Sequence, residues 1–179
     1  SQRQPNGSDW TYNLQGVRRV LYRLPELLGK PAIVVVEGEK DVDRAWSLGI
    51  PAPCNPMGAG KWDSSYNDQL QSAGVRKVAI IPDNDAPGRA HARAVGQSLH
   101  ASGLEVRLVT LPGLADGGDL SDFLEQHTKE ELIDLVRRAD LWTPSVRLDR
   151  PVKQFEELGE QRYRLSVPGV TLEVSRLRR

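Results

Sequence analysis

The chain has 179 residues, of which 39% are hydrophobic and 27% charged, and its 24 basic side chains balance its 24 acidic ones. These values are typical of a folded globular protein, exclude a chain disordered throughout and give no overall charge signal for nucleic-acid binding. No apolar run is long enough for a membrane span, and no signal peptide stands at the N-terminus. Cys54 is the only cysteine, which excludes an intrachain disulfide and a cysteine-based metal site, so we expect a cytoplasmic protein.

The charges are unevenly distributed along the chain. Basic residues concentrate in residues 16–23 and 162–179, whereas carboxylates concentrate in residues 37–43, 83–85 and 116–122. A basic periphery around an acidic centre would suit a polyanion held near metal ions, while solvated surface arginines explain each basic segment equally well.

The first 30 residues predict a short strand and a connector. PNGSD is a strong turn signal, and Trp10, Tyr12 and Leu14 alternate as in a half-buried strand. RVLYRLPELL predicts a short helix or an irregular connector, ended by a glycine and a proline. Because the chain starts on what resembles half a hairpin, we expect it to be a segment of a longer protein.

Residues 31–140 alternate between strand patterns and helix patterns. AIVVVE is a continuous β-branched run, typical of a parallel strand buried on both faces. The predicted strands are 32–37, 50–55, 77–82 and 105–111, and the predicted helices are 39–49, 64–74, 87–103 and 129–139. This alternation predicts an α/β domain with a mostly parallel four-stranded sheet covered by helices on both sides.

Residues 141–179 have a different character. A polar stretch over 144–160 predicts a linker, and RYRLSVPGVTLEV predicts a basic β-hairpin that turns at Pro168 and Gly169. The chain is thus expected to have short β extensions at both ends.

Acidic residues follow three of the predicted strands. They are Glu37, then Asp83 and Asp85, then Asp116, Asp119 and Asp122. In open parallel sheets, functional groups gather beyond the carboxyl ends of the strands, so neighbouring first and third strands would bring Glu37, Asp83 and Asp85 together. Unpaired, some of these carboxylates would have to stay protonated, and a hard cation such as Mg²⁺ removes that cost. The pattern therefore predicts a metal site.

Helix capping is the alternative explanation of the same acids. Asp and Asn at strand ends commonly form turns, and DNDAPG would then cap the helix that starts near Pro87. Asp122 could equally be a helix-start acid ahead of FLEQ. The occurrence of three acidic strand ends in one α/β pattern favours the metal site.

Three segments resemble the Toprim domain that primases, topoisomerases and certain nucleases share. They are VVVEGEKDVDRAWSLGI, IIPDNDAPGRAHA and GGDLSDFL, and the resemblance spans roughly residues 31–140, most of the chain. YRLPEL, EGEKD and NPMGAGKW resemble the primase-type domains of phage, plasmid and integrative-element primases and primase–helicases. The resemblance implies a Rossmann-like Toprim fold over 31–140, with a connector over 1–30. A Cys-rich zinc-binding module, which precedes this region in longer relatives, is absent from the sequence.

The resemblance also implies roles for the acidic residues. Glu37 matches the general acid/base or metal-assisting glutamate of nucleotidyl transfer, and Asp83 and Asp85 match a metal-binding pair. Asp119 and Asp122, the further candidate metal ligands, match the third acidic motif less firmly, because that motif varies between branches. The implied cofactor is Mg²⁺ or Mn²⁺.

The activity that the resemblance implies is the synthesis of short RNA primers on a single-stranded DNA template. Nucleoside triphosphates would be the substrates, and a replicative helicase or helicase domain a further partner, with no role for a membrane. We expect weak catalysis by this segment alone, since the module that holds the template is expected elsewhere. A metal-dependent nuclease of the same superfamily and a non-catalytic nucleic-acid-binding module are the alternatives.

The glycine-containing segment NPMGAGKW is not a nucleotide-triphosphatase P-loop. Asn55 stands where that motif needs glycine, and Trp62 where it needs serine or threonine. Gly58 and Gly60 could still present backbone N–H groups to a phosphate, although a plain turn is the competing explanation. The glycine loop that lies beside the acids in primases favours phosphate binding.

Three cations lie close in sequence to these features, namely Lys40, Lys61 and Arg89. Each is a candidate for phosphate contact, and solvated first-turn side chains are the alternative for Lys40 and Arg89. Trp62 and Tyr66 could stack on bases, but aromatic residues near a strand–helix junction are more often part of the core.

Overall fold

The computed structural model describes residues 18–143 together with the backbone of strands at 4–6, 9–11, 154–157, 162–167 and 170–175. The chain divides into two units, Ser1–Thr143 and Pro144–Arg179. The boundaries near residues 31 and 141 that the sequence suggests stay predictions.

A parallel sheet forms the centre of the first unit. Its strands are β3 (Ala32–Val35), β4 (Lys77–Ile80) and β5 (Glu105–Leu108), in the order β3-β4-β5. Val35 lies opposite Ile80, which in turn lies opposite Leu108, so all three strands end at one level. Each strand lies within one of the predicted apolar runs, and the parallel α/β architecture is confirmed.

Five α-helices and one short 3₁₀ helix surround this sheet among residues 18–143. The α-helices are α1 (Glu39–Ser47), α2 (Ser65–Ser72), α3 (Ala86–Ala101), α4 (Leu120–Gln126) and α5 (Lys129–Arg138), and the 3₁₀ helix is Leu24–Leu27. The four helices predicted from periodicity are present close to their predicted bounds. The connector predicted before residue 29 contains the 3₁₀ turn.

The sheet separates two hydrophobic cores because successive strand side chains point to opposite faces. Ile33 and Val35 of β3 pack with residues of α2 and α3, such as Leu70 and Val95. Val34 and Val36 project to the other face, where α1, α4 and α5 contribute Val42, Phe123 and Leu132. Helices on both faces bury the strands and leave the carboxyl ends of the sheet as its functional edge.

The predicted fourth strand at residues 50–55 is wrong. This segment runs beside β3, where Val34 N–H donates to Pro51 O at 2.9 Å and Val36 N–H donates to Pro53 O at 3.3 Å. In a parallel ladder, residue 53 would return an N–H to the carbonyl of Val34, but proline has no N–H to give. Only the hydrogen bonds donated by β3 hold the segment beside the sheet, and the described sheet has three strands.

The order of these segments reverses between β3 and β4. From β3 the chain crosses through α1 to the proline segment on one side, then returns through α2 to β4 on the other side. Such a reversal opens a crevice at the carboxyl ends of the two strands, which is where ligands bind in open α/β sheets. Glu37 and Asp83 lie at this point in the chain.

The terminal segments form antiparallel strands. β1 (Gln4–Asn6) pairs with β2 (Asp9–Thr11) around the predicted PNGSD turn, while Tyr12 and Leu14 lie outside the described residues. In the second unit the order is β6-β7-β8, with β6 at Gln154–Glu157, β7 at Arg162–Val167 and β8 at Val170–Ser175. β7 and β8 form the predicted hairpin, and β6 lies inside the stretch predicted to be a linker. Across the part of the chain that is described, no helix is both long enough and apolar enough to span a membrane.

Candidate active site

The carboxyl ends of β3 and β4 are joined by a glutamate. Glu37 follows the last residues of β3, and its Oε1 accepts a hydrogen bond of 3.3 Å from the backbone N–H of Asp83. The two positions are 46 residues apart in sequence. The structure thus brings the predicted residues Glu37 and Asp83 together at the crevice of the sheet.

The first turn of α3 completes this group of acids. Asp85 is the N-cap of α3, and its Oδ1 accepts a hydrogen bond of 2.6 Å from the N–H of Gly88. A Cβ on residue 88 would lie 2.5 Å from Glu37 Oε1 and 2.8 Å from Asp83 O, so only glycine fits. Glu37, Asp83 and Asp85 therefore surround Gly88, and the capping role suggested for DNDAPG is present in Asp85 as well.

Asn84 explains why the two aspartates are separated by one residue. Its Nδ2 donates to the carbonyls of Leu114 and Ala115, both at 2.9 Å, and its N–H donates to Gly118 O at 2.8 Å. The asparagine thereby ties the β4–α3 turn to the loop before α4. Its side chain is bonded to that loop, whereas Asp83 contacts Glu37 through its backbone N–H and the side chain of Asp85 caps α3.

The electrostatics of the acids reflect burial without compensation. Burial raises the pKa of Asp83 from its ordinary value to about 7, and the neighbouring carboxylates, first Glu37, raise it further. Burial also raises the pKa of Glu37, with contributions from Asp85 and Asp41, although the hydrogen bond from Asp83 N–H opposes the shift. Within residues 18–143, no lysine or arginine forms an ion pair with Glu37, Asp83 or Asp85.

Asp41 is a fourth acid of this region that the sequence reasoning did not select. It is only 4% exposed, and its Oδ1 accepts hydrogen bonds from Ser121 Oγ at 2.6 Å and Ser121 N at 3.0 Å. Burial raises the pKa of Asp41 despite these bonds. The helical spacing that selects Val42 and Ala45 as buried also places Asp41 on the inner face of α1, and a charge at such a position was the available signal.

Asp119 and Asp122, the residues of the third acidic motif, make contacts that stabilise helix α4. Asp119 is the N-cap of α4, and Asp119 and Asp122 each accept the other's backbone N–H in a capping box. Lys40 Nζ lies 2.5 Å from Asp119 Oδ2. Burial alone would raise the pKa of Asp119, but Lys40 and the N–H groups of the α4 N-terminus lower it. Asp122 has the helix-start role proposed as its alternative.

The predicted phosphate-binding groups differ in their surroundings. Lys40 is paired with Asp119, and Arg89 donates from Nη1 to Asn84 Oδ1 at 3.3 Å. Lys61 is exposed and has no ion pair among the described residues. Gly58 and Gly60 have φ of 72° and 74°, the left-handed region that favours glycine.

The aromatic residues beside the glycine loop belong to the core. Tyr66 is fully buried and meets Trp62 edge to face, with ring centroids 5.4 Å apart. Trp62 Nε1 donates to Asn67 Oδ1 at 3.0 Å. Packing therefore accounts for both rings, as the alternative to base stacking expected. Cys54 is buried as well, and burial raises the pKa of its thiol to about 12.

The donor set suits a magnesium ion that arrives with its substrate. Among residues 18–143, no three carboxylate, imidazole or thiolate side chains form an assembled metal site. Magnesium is usually held by one or two carboxylates, while waters and substrate phosphates complete its octahedron, so an all-protein cage is not required. Glu37 and Asp83 offer hard oxygens with raised pKa values, a cost that a divalent cation offsets.

Comparison with curated proteins places DNA primases among the relatives. No protein-family model matches the chain. The DNA primase of Aquifex aeolicus (strain VF5) is 32% identical over 117 residues, which are 65% of this chain and 22% of that protein. Gene 57 protein of Mycobacterium phage D29 is 28% identical over 104 residues, which are 58% of this chain and 62% of that protein. The chain thus spans about a fifth of the bacterial primase that it matches.

Solved structures of primases share the fold. The zinc-binding and RNA polymerase domains of the Aquifex aeolicus primase match with a TM-score of 0.55 and 26% identity, over 66% of this chain and 28% of that one. A DnaG primase catalytic domain bound to ssDNA matches with a TM-score of 0.56 and 21% identity, over 68% of this chain and 40% of that one. The predicted resemblance to primase-type Toprim domains is confirmed, because this chain is similar in sequence and fold to the catalytic region of DNA primases.

Proposed function

We propose that this chain carries out the metal-dependent nucleotidyl transfer of a DNA primase, in which short RNA primers are made on single-stranded DNA. The observation that carries the proposal is the meeting of Glu37, Asp83 and Asp85 around Gly88, at the reversal of strand order. The burial of Glu37 and Asp83 raises their pKa values and is costly unless they serve a cation and its phosphate ligand.

Each residue has a part in this chemistry. Glu37, Asp83 and Asp85 would hold Mg²⁺ or Mn²⁺, which supplies charge stabilisation for the attacking 3′-oxygen and the departing pyrophosphate. Burial raises the pKa of Glu37, the direction expected of a carboxyl group that serves as a general acid or base. Asp119 and Asp122 support this region through α4, and Asp119 keeps Lys40 beside it.

The partners follow from the same chemistry. Nucleoside triphosphates are the proposed substrates, with Lys61 and the glycine loop as contacts for their phosphates. Single-stranded DNA is the proposed template, since a structurally similar DnaG catalytic domain is bound to ssDNA. A replicative helicase or helicase domain is the further proposed partner, and the cytoplasm is the proposed location.

The test separates synthesis from cleavage. Labelled single-stranded DNA is incubated with this protein and Mg²⁺ or Mn²⁺, with and without nucleoside triphosphates. Products that require triphosphates support the primase. Shortening of the DNA without triphosphates would instead indicate a nuclease that uses the same acids. In parallel, Mn²⁺ binding is measured by electron paramagnetic resonance, because metal binding can be detected even where this segment alone synthesises no primer.

Variants then assign the site. Glu37→Gln, Asp83→Asn and Asp85→Asn each remove one charge, and asparagine at 85 retains the helix cap. Glu39→Gln, an exposed change in the first turn of α1, is the matched control. Loss of Mn²⁺ binding and of synthesis in the three variants, but not in the control, is the expected result. Unchanged Mn²⁺ binding and unchanged activity in all three would identify a non-catalytic module.

A further inference from the structure

His91 is a buried histidine whose two ring nitrogens both contact the glycine loop. It lies on α3, is 6% exposed, and its Nδ1 accepts a hydrogen bond of 2.9 Å from the N–H of Gly60. Its Nε2 lies 3.2 Å from Asn55 Oδ1. These partners require a neutral ring that carries its proton on Nε2, and burial lowers the pKa of His91 in the same direction.

Asn55 extends this contact into the loop itself. It is 2% exposed, and its Nδ2 donates to Gly58 O at 2.8 Å and to Pro56 O at 3.2 Å. With its Oδ1 facing His91, each end of the amide has a partner. The buried side chains of His91 and Asn55 thus fix the glycine loop, residues 55–61, most of which is exposed.

The glycine loop is held in a conformation that it would not adopt unaided. Met57 has a φ of 71° although it has a side chain, and that side chain is 60% exposed, so packing does not hold it there. Such a residue costs free energy and persists where its surroundings determine it. Within residues 18–143, Ala59 N–H has no protein acceptor, while the N–H groups of Gly58 and Lys61 close turns at residues 56–57 and 59–60 without a hydrogen bond of good geometry.

One helix connects this loop to the acids. Asp85, Gly88 and His91 follow one another at intervals of three residues from the start of α3, so they lie near one face of the helix. His91 and Glu37 also line the same small cavity between the sheet and α3. The loop is therefore anchored to the helix turns that carry the acid cluster.

We propose that His91 is a positioning residue which, together with Asn55, holds the glycine loop so that its N–H groups and Lys61 bind the triphosphate of an incoming nucleoside triphosphate. The inference rests on the proposed function and names the residues that set substrate affinity. The adjacent N–H groups of Gly58 and Ala59 can form an anion-binding concavity, whereas Gly60 N–H is bonded to His91, and Lys61 adds a positive charge. A histidine that only filled the core would affect stability and leave triphosphate affinity unchanged.

Two substitutions separate the two hydrogen bonds of His91. In His91→Asn the amide oxygen reaches the position of Nδ1 and can still accept from Gly60 N–H. In His91→Gln the amide nitrogen reaches the position of Nε2, so the bond to Asn55 is kept and the one to Gly60 is lost. The same pair at His100, an exposed histidine of α3, is the matched control.

Titration of the intact protein with magnesium pyrophosphate and with MgATP, followed by calorimetry, is the measurement. We expect His91→Gln to weaken binding about tenfold, the worth of one hydrogen bond, whereas His91→Asn stays close to the wild type. Hydrogen exchange at Gly60 is expected to rise in His91→Gln only. Equal affinities in the wild type and both His91 variants would overturn the inference and leave the proposed function standing.

Two further outcomes are informative. If the wild type binds neither probe, the proposed function fails and this inference fails with it. If neither His91 variant folds, as judged by circular dichroism, Asn55→Ser replaces them, because it removes the amide donor to Gly58 O from the other side. Unchanged affinity in that variant would count against the role of the loop anchor.

Discussion

Two acidic regions lie at the carboxyl ends of the sheet, and their carboxylates are used differently. Asp119 and Asp122 accept backbone N–H groups in a capping box, and Lys40 neutralises Asp119, so the pKa of Asp119 is lowered. Glu37 and Asp83 are partly buried without a cation, and their pKa values are raised. Both regions contain several acidic residues. They differ in whether other groups compensate the charge of those residues.

This contrast distinguishes structural acids from candidate catalytic ones. A capped and paired carboxylate lowers the free energy of the folded chain by itself. A buried and unpaired carboxylate raises the free energy of the folded chain. Such a carboxylate is expected at a functional site, where a bound ligand offsets its cost. We therefore expect substitutions in the two regions to act in opposite directions on stability and very unequally on activity.

The largest effect is expected from Asp83→Asn. Loss of this carboxylate should lower primer synthesis about 10³-fold, since a metal ligand contributes several kcal/mol of transition-state stabilisation. The same change should raise the melting temperature of the metal-free protein above pH 7, because it removes a repelled charge. Asp122→Asn is the control, and a comparable loss of activity there would abolish the distinction between the two regions.

Gly88→Ala should reduce activity about 10²-fold, the cost of a misplacement of about 1 Å. The new Cβ would displace Glu37, or shift the first turn of α3 away from Asp83. Gly96→Ala on the same helix is the control, because its Cβ would lie 3.4 Å from Trp142 Cε2. Rates and thermal melts of both variants measure the effect, and equal rates would show that the acids tolerate movement.

The pH dependence of stability sharpens the contrast without any assay of activity. The pKa of Asp83 in the folded chain is raised to about 7 from 3.8, so its protonated form is favoured by folding. The stability that protonated Asp83 contributes to the folded chain is fully present below pH 3.8 and is lost as the pH rises through 7. In metal-free protein we expect the free energy of unfolding to fall by on the order of 1 kcal/mol over this window, allowing for solvent screening.

Chemical denaturation at several pH values measures this fall. Asp83→Asn should flatten it, and millimolar Mg²⁺ should reduce it by favouring the ionised form. A metal-free wild type whose stability rises from pH 4 to pH 7, with Asp83→Asn showing the same rise, would contradict the assignment of an uncompensated acid.

The smallest effect on activity is expected from Asp119→Ala. The variant loses the N-cap of α4 and the partner of Lys40, so it should unfold with about 1 kcal/mol less free energy. Activity at a temperature where the protein stays folded should fall less than tenfold. Asp119→Asn, which retains the cap, should recover the stability, and failure to do so would assign the effect to the ion pair.

Much of the fold follows from patterns that are local in the sequence. AIVVVE and KVAIIP become buried parallel strands because a continuous apolar run suits a strand covered on both faces. The segment at 50–55, IPAPCN, also contains apolar residues but fails as a strand, since alternate prolines remove the donors that a ladder needs. The composition of that segment suggests a strand, and its hydrogen-bonding capacity forbids one.

The site was predictable to the extent that it depends on strand ends. Glu37, Asp83 and Asp85 converge because β3 and β4 are neighbours that end at one level. Asp41 was not selected, although its position on the inner face of α1 is a local signal, and its hydrogen-bond partner Ser121 is 80 residues away. His91 was not selected from the sequence either, because its contacts with the glycine loop depend on tertiary structure.

The proline segment beside β3 also determines what can attach to the sheet. An open strand edge carries rows of donors and acceptors that invite pairing with another chain. Pro51 and Pro53 face β3, and the groups on the other side are already bonded: Ala52 O accepts from Trp46 Nε1 at 2.8 Å, and Cys54 O accepts from Tyr22 N–H at 3.0 Å. A further strand would find few groups to pair with on this side. We therefore expect this flank of the sheet, which borders the acidic crevice, to resist edge-to-edge pairing with another chain.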